Sequence, residues 1–275
     1  MKTVTIGLAT AKQAIRQPAF LILTLLAAAG LIWTIYVPYF TLGEDIKMYK
    51  DTGLTTIIIA GLILALLTSS SVVTEEIEGR TAITLLSKPI NRRQFILGKY
   101  LGIELAVLLM FAILGALFAA GVWYKYGYDL TETGGGTAAN NDTRLLQVQQ
   151  ILPGLALAFG EVSILTALSV ALSTRVPMLV NLVVCMSLYF LGHLTPVLVA
   201  ATGPGTGANE LVRFMAGFFA YLLPSLEFFN AGPSISTGVI VPWVGYVLPA
   251  LGYCVLYSGA ALFLAFLLFD SRDVA

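Results

Sequence analysis

Charged residues are missing from this chain over intervals long enough to cross a lipid bilayer. No Asp, Glu, Lys or Arg occurs from Gln17 to Gly43, Thr52 to Thr74, Leu105 to Tyr124, Val176 to Asn209, or Phe228 to Phe269. Inside hydrocarbon every backbone N–H and C=O must find its partner within the chain, so such runs are restricted to helices or a closed barrel. Continuous apolar runs, rather than alternating ones, select helices. Composition agrees: of 275 residues 58% are hydrophobic and 11% charged, with a mean hydropathy of +0.88. Soluble domains carry about 25% charged residues, so a water-soluble protein is excluded. Fifteen basic residues balance fifteen acidic ones, which leaves no excess for binding nucleic acid.

A helix needs about 20 apolar residues to span. Six segments meet that length: 18–39, 54–74, 101–123, 151–173, 177–199 and 242–269, the last with an expected kink near Pro249. Pro18, Pro153, Pro177 and Pro242 stand at or near the starts of these spans, where a missing N–H costs nothing. Leu211 to Leu223 is apolar but too short to cross, and Pro224 closes it. It predicts an interfacial or re-entrant helix before span six. The whole chain, 1–275, therefore reads as one transmembrane domain of the all-α class.

Six crossings place both termini on one side. With the N-terminus inside, the inner face collects Lys2, Lys12, Arg16, Arg80, Lys88, Arg92, Arg93, Lys99, Arg175 and Arg272, against Lys47, Lys50, Lys125, Arg144 and Arg213 outside. Positive charge accumulates on the cytoplasmic side, so both termini are expected there. The Gly- and Thr-rich stretch from Tyr124 to Gln150 is then an outside loop.

Between spans two and three, residues 75–102 form the largest inside feature. Acids at Glu75, Glu76 and Glu78 precede a short helix-prone stretch bearing Ile83, Leu85 and Leu86, then Lys88, Pro89 and the basic cluster Arg92-Arg93. Pro89 disfavours helix at Lys88, and Asn91 with Gln94 forms a capping pair for the next helix. Two arginines in that first turn oppose the helix dipole, so lipid phosphate or an acidic partner surface must favour them.

This stretch, with its Glu-x-x-Gly-x-Thr start at Glu76, its Leu-Leu-Ser-Lys-Pro centre at 85–89 and its Arg-x-x-Phe-x-x-Gly-Lys end at 92–99, resembles the permease subunits of ABC-2 type ABC transporters. More narrowly it is similar to the branch that includes permeases linked to multicopper-enzyme maturation. The resemblance implies a bacterial inner-membrane permease working as a homo- or heterodimer with separate ABC ATPase chains that bind ATP and Mg. It implies export by alternating access. It also implies that the 78–92 segment holds a coupling helix docking on the ATPase, through Glu78, Gly79, Arg80, Thr81, Ile83, Leu85, Leu86, Lys88, Pro89 and Arg92. The ending Asp270-Ser271 departs from the more basic pattern expected after span six.

The sequence contains no Gly-x-x-x-x-Gly-Lys-Ser/Thr phosphate-binding string, so no catalytic site for ATP and no cofactor is expected in this chain. Its single histidine removes any multi-histidine metal site. Cys185 and His193 are two helical turns apart, too far to share one ion unaided. Glu161 is the only acid deep inside a span. Eleven Leu, Ile, Val and Phe residues between Ile151 and Leu172, worth about −0.3 to −0.6 kcal/mol each, outweigh the roughly +3 kcal/mol of a mid-span acid. Its carboxyl should face the bundle or an aqueous cavity, with substrate contact and helix–helix hydrogen bonding both open. Glu104, a turn past Lys99, is expected near the inner interface, solvated or paired. Ser163, Thr166, Ser169 and Ser173 form a polar stripe expected to make interhelical contacts. The rival readings are an intramembrane enzyme, or an ATP-independent secondary carrier using Glu161. Against the first, no second catalytic group stands at matched helical spacing; against the second, no inverted repeat is visible.

Overall fold

A computed structural model describes residues 2–36, 45–78, 91–132, 141–202 and 209–270. Helices α1 (Lys2–Arg16), α2 (Pro18–Tyr36), α3 (Asp45–Glu78), α4 (Arg92–Glu132), α5 (Asn141–Ser173), α6 (Met178–Ala201) and α7 (Glu210–Leu222) follow in order. A 3-10 turn at Leu226–Phe229, a short α8 (Gly232–Ser236), a π-turn at Trp243–Val247 and α9 (Leu248–Asp270) complete them. Among the described residues there is no strand. Six helices are long and apolar enough to span: α2, α3, α4, α5, α6, and the π-turn with α9. The all-α six-span class expected from the sequence is the one observed.

Helices α3, α4 and α5 form the centre, and α2, α6 and α9 surround it. The outer helices present Leu25, Trp33, Val183, Phe190, Leu256 and Phe263 outward. Lipid is as apolar as these side chains, so such faces carry no penalty in a bilayer, and close packing rather than hydrophobic burial holds the centre together. Tyr49, Phe118 and Phe111 provide that packing by filling space left by glycines. A Cβ at Gly53 would stand 2.2 Å from the Phe118 ring, and one at Gly61 2.4 Å from Phe111.

The helices extend past the expected spans. The predicted outside loop from Tyr124 to Gln150 is largely helical, because α4 runs on to Glu132 and α5 begins at Asn141. Polar side chains hold these extensions together. Lys125 Nζ lies 3.2 Å from Asp45 Oδ2, and the Ile46 N–H donates to Asp129 Oδ2 at 3.1 Å, satisfying a donor in the first turn of α3. Arg144 stacks over Trp123, its guanidinium carbon 5.7 Å from the ring centroid. As a consequence Pro153 lies inside α5 rather than in its first turn. Just before Pro249, where the sequence predicts a kink, lies the π-turn, in which Tyr246 and Val247 N–H both donate to the Pro242 carbonyl.

At the opposite end, α1 is an amphipathic helix that crosses α4. The sequence reading did not separate it from its polar surroundings. Gly7 and Thr10 pack against Gly98 and Gly102, and a Cβ at Gly102 would meet the Gly7 carbonyl oxygen at 2.5 Å. The Gly98-x-x-x-Gly102 spacing is thus the seat of a helix crossing. Here too the expected Asn91–Gln94 pair forms through its Gln94 half, the Asn91 N–H donating to Gln94 Oε1 at 3.4 Å.

Candidate functional site: a polar cavity inside the bundle

Glu161, halfway along α5, is 1% exposed. It borders a cavity of about 190 Å³ enclosed by α3, α5, α6 and the 226–236 segment. Its Oε1 stands 3.4 Å from His193 Nε2 on α6 and makes no hydrogen bond. His193 Nδ1 is 3.1 Å from the Tyr189 carbonyl one turn earlier, and the Tyr189 ring lies beside the imidazole, tilted by 57° with centroids 4.8 Å apart. Asp51 and Thr55 of α3, both exposed, and Asn230 form the mouth. The acid therefore faces a cavity, one of the two surroundings expected for it.

The outer wall of the cavity is built by the chain between α7 and α9. The predicted interfacial or re-entrant segment 211–223 corresponds to α7, which is mostly exposed. The residues after it reach into the bundle. Phe229 packs where a Cβ at Gly160 would stand 3.0 Å away, Ile235 where one at Gly154 would stand 2.3 Å away, and Leu226 against Gly192. Gly232 leaves room for Asp51, whose Oδ1 would be 2.9 Å from a Cβ there. Glycines on α5 and α6 thus admit the short turns of the 226–236 segment, whose Leu226, Phe229 and Ile235 are buried against the bundle.

A second acid is buried on the other face of α5. Glu104 of α4 is 8% exposed and accepts a 2.8 Å hydrogen bond from Ser163, while its Oε1 has no partner. It is buried and, among the described residues, in no ion pair, contrary to expectation: a helix starting at Arg92 places Glu104 three turns in, against α5. Of the polar stripe, Ser163 and Ser169 make interhelical bonds, whereas Thr166 and Ser173 donate to carbonyls of their own helix. Ser169 meets Ser69 of α3, and Asn181 of α6 donates to Ser70 Oγ at 2.7 Å and Ser169 Oγ at 2.9 Å. Cys185 donates to Asn181 at 3.4 Å and does not share a partner with His193.

Asp51, Tyr189, Asn230 and Asn181 were not anticipated as site residues. An amide inside an apolar run was a usable signal for Asn181. Asp51 read only as the boundary of a span. Of the coupling residues, Gly79, Arg80, Thr81, Ile83, Leu85, Leu86, Lys88 and Pro89 lie outside the described residues, as does the side chain of Glu78. Arg92 is described. It donates from Nη1 to the Phe269 carbonyl at 3.1 Å and lies over the Phe269 ring, while Arg175 Nε donates to the Leu268 carbonyl at 2.9 Å.

Six helices long and apolar enough to cross a bilayer define a multi-pass membrane protein. The chain belongs to the family described as ABC-2 family transporter protein, which it matches over residues 8–274. It is a permease subunit of an ABC transporter, and membership implies association with an ABC ATPase. No curated protein matches the sequence.

Proposed function

We propose that this permease is an exporter that works by alternating access, as a dimer of such subunits driven by separate ATPase chains that hold ATP and Mg. The observation that carries the reading is the family match together with the absence of a phosphate-binding loop from the sequence. Membership supplies the need for ATP, and the missing loop sends its hydrolysis to another chain. The orientation follows the charge asymmetry, with both termini and the 78–92 segment in the cytoplasm of a bacterial plasma membrane.

In this reading Ile83, Leu85 and Leu86 insert into a groove on the ATPase while Glu78, Arg80, Lys88 and Arg92 fix the register. The segment joins α3 to α4, both central. Arg92 ties the start of α4 to the last turn of α9, and Arg175 ties the α5–α6 turn to that same turn. A displacement at 78–92 is therefore delivered to α3, α4 and α9 together, and from α3 to the cavity wall at Asp51. Glu161 lies on the substrate path.

Replacing Leu85 and Leu86 with Asp tests this. Unpaired charge in a buried contact weakens docking by about 2–5 kcal/mol, so co-purification of the ATPase and stimulation of its hydrolysis should both collapse while all six spans remain inserted. Wild-type recovery and stimulation of the ATPase would remove the coupling assignment.

A further inference from the structure

We propose that the cavity floored by Glu161 and His193 binds a small organic cation, a protonated amine, in exchange for a proton that the two residues otherwise share. The site itself stands on geometry alone; that the cation is cargo rests on the exporter reading above.

The shared proton follows from hydrogen-bond chemistry. The Tyr189 carbonyl can only accept, so at 3.1 Å from it His193 Nδ1 carries the hydrogen. A neutral imidazole then leaves the lone pair of Nε2 close to Glu161 Oε1, 3.4 Å away. Carboxylate and lone pair are both acceptors and repel. The pair is relieved by one proton, held either as imidazolium beside carboxylate or as imidazole beside carboxylic acid. Either way it is neutral overall.

The remaining walls select positive charge. Asp51 and Glu161 line the cavity, and neither Lys nor Arg is among its lining residues. Glu227, whose Oε1 accepts from Asn230 Nδ2 at 3.1 Å, is close enough to act electrostatically on Glu161. Tyr189 and Phe229 also line it, and aromatic rings attract a desolvated cation. Once the shared proton has left, Glu161 Oε1, buried and without a hydrogen bond, lacks the donor that an ammonium group carries. Among the described residues no group of three His, Cys, Asp or Glu converges as a metal site would require. A cavity of about 150 Å³ admits benzene, so about 190 Å³ suits a compact amine rather than a lipid or a peptide. Binding proceeds by loss of the shared proton to water and pairing of Glu161 carboxylate with the ammonium. Charge then balances at one proton released per cation bound.

The test uses the full-length protein in lipid nanodiscs, titrated calorimetrically with n-butylammonium and phenethylammonium in two buffers of different ionisation enthalpy. The size-matched controls are n-butanol and butyrate. The amines should bind with release of one proton, and neither control should bind. Glu161→Gln should weaken binding more than about tenfold, and Asp51→Asn should weaken it less. His193→Gln offers Glu161 an amide donor in place of the shared proton, so it should still bind the amine, with the release falling below one proton per cation. The Leu85→Asp, Leu86→Asp protein should bind amines normally, which separates failure of this site from failure of the ATPase coupling. Equal binding of butanol, undiminished binding by both Glu161→Gln and Asp51→Asn, or no binding of either amine would each overturn the proposal.

Discussion

Arg92 and Phe269 close the cytoplasm-assigned end of the bundle by two contacts at once, a 3.1 Å hydrogen bond from the guanidinium to the Phe269 carbonyl and a cation–π contact at 5.6 Å from the ring centroid. The carbonyls of a last helical turn have no partner within the helix and carry the negative end of its dipole, so a cation there is favoured twice. The sequence places two arginines where they oppose the dipole of α4. The C-terminal end of α9 compensates Arg92, a third partner besides the lipid phosphate and acidic protein surface expected.

Arg92→Ala should therefore lower stability by about 1–2 kcal/mol, the loss of a charge-assisted hydrogen bond and an exposed-side ring contact. Arg92→Lys should lose less stability, since an ammonium keeps the charge without the planar fork. Thermal unfolding in detergent reads the order. In the coupling assignment both variants also lower ATPase stimulation, and equal stability of all three proteins would remove the strut from that mechanism.

Gly102 tests the crossing of α1 over α4. Its missing side chain is required by the Gly7 carbonyl, so Gly102→Leu should cost about 1–3 kcal/mol by overpacking or lift α1 from the bundle. Trypsin cleavage at Lys12 is the measurement, and it should accelerate. Gly217 has open space around it, and Gly217→Ala should leave the cleavage rate unchanged.

Asn181 anchors α6 to α3 and α5 through Ser70 and Ser169. Interhelical hydrogen bonds in membranes contribute about 0.6 kcal/mol each and at most about 1.7, so Asn181→Ala should cost about 1–2 kcal/mol. Asn181→Leu should cost more, because two hydroxyls and a bulkier side chain then compete for one buried site. Reversible unfolding in mixed micelles, where the two variants must rank in that order, decides it.

The orientation is tested with single cysteines at Thr84 and Thr137 in a background lacking Cys185 and Cys254. An impermeant maleimide added to intact cells should label position 137 and leave position 84 unlabelled. The reverse pattern would invert the topology and with it the site of ATPase docking.

What the amino-acid sequence determined by itself was the class: an all-α membrane protein with six spans, a proline-closed short helix before the last one, and the 75–102 segment that carries the family resemblance. These are local properties, since spanning length, charge and helix capping are written in consecutive residues. It also marked Glu161 as unusual, because the cost of a mid-span acid depends on that residue and its own helix. Which side chains meet Glu161 was decided only by tertiary structure. Apart from the Ser163, Thr166, Ser169 and Ser173 stripe of α5, span helices are apolar nearly all round, so no 3.6-residue pattern shows which face of α3 or α6 turns inward. His193 and Asp51 come to the cavity because of how α6 and α3 rotate against α5. Gly154, Gly160 and Gly192 read as ordinary small residues until Ile235, Phe229 and Leu226 occupy the space beside them. A glycine records that something approaches closely, and only the folded chain says what.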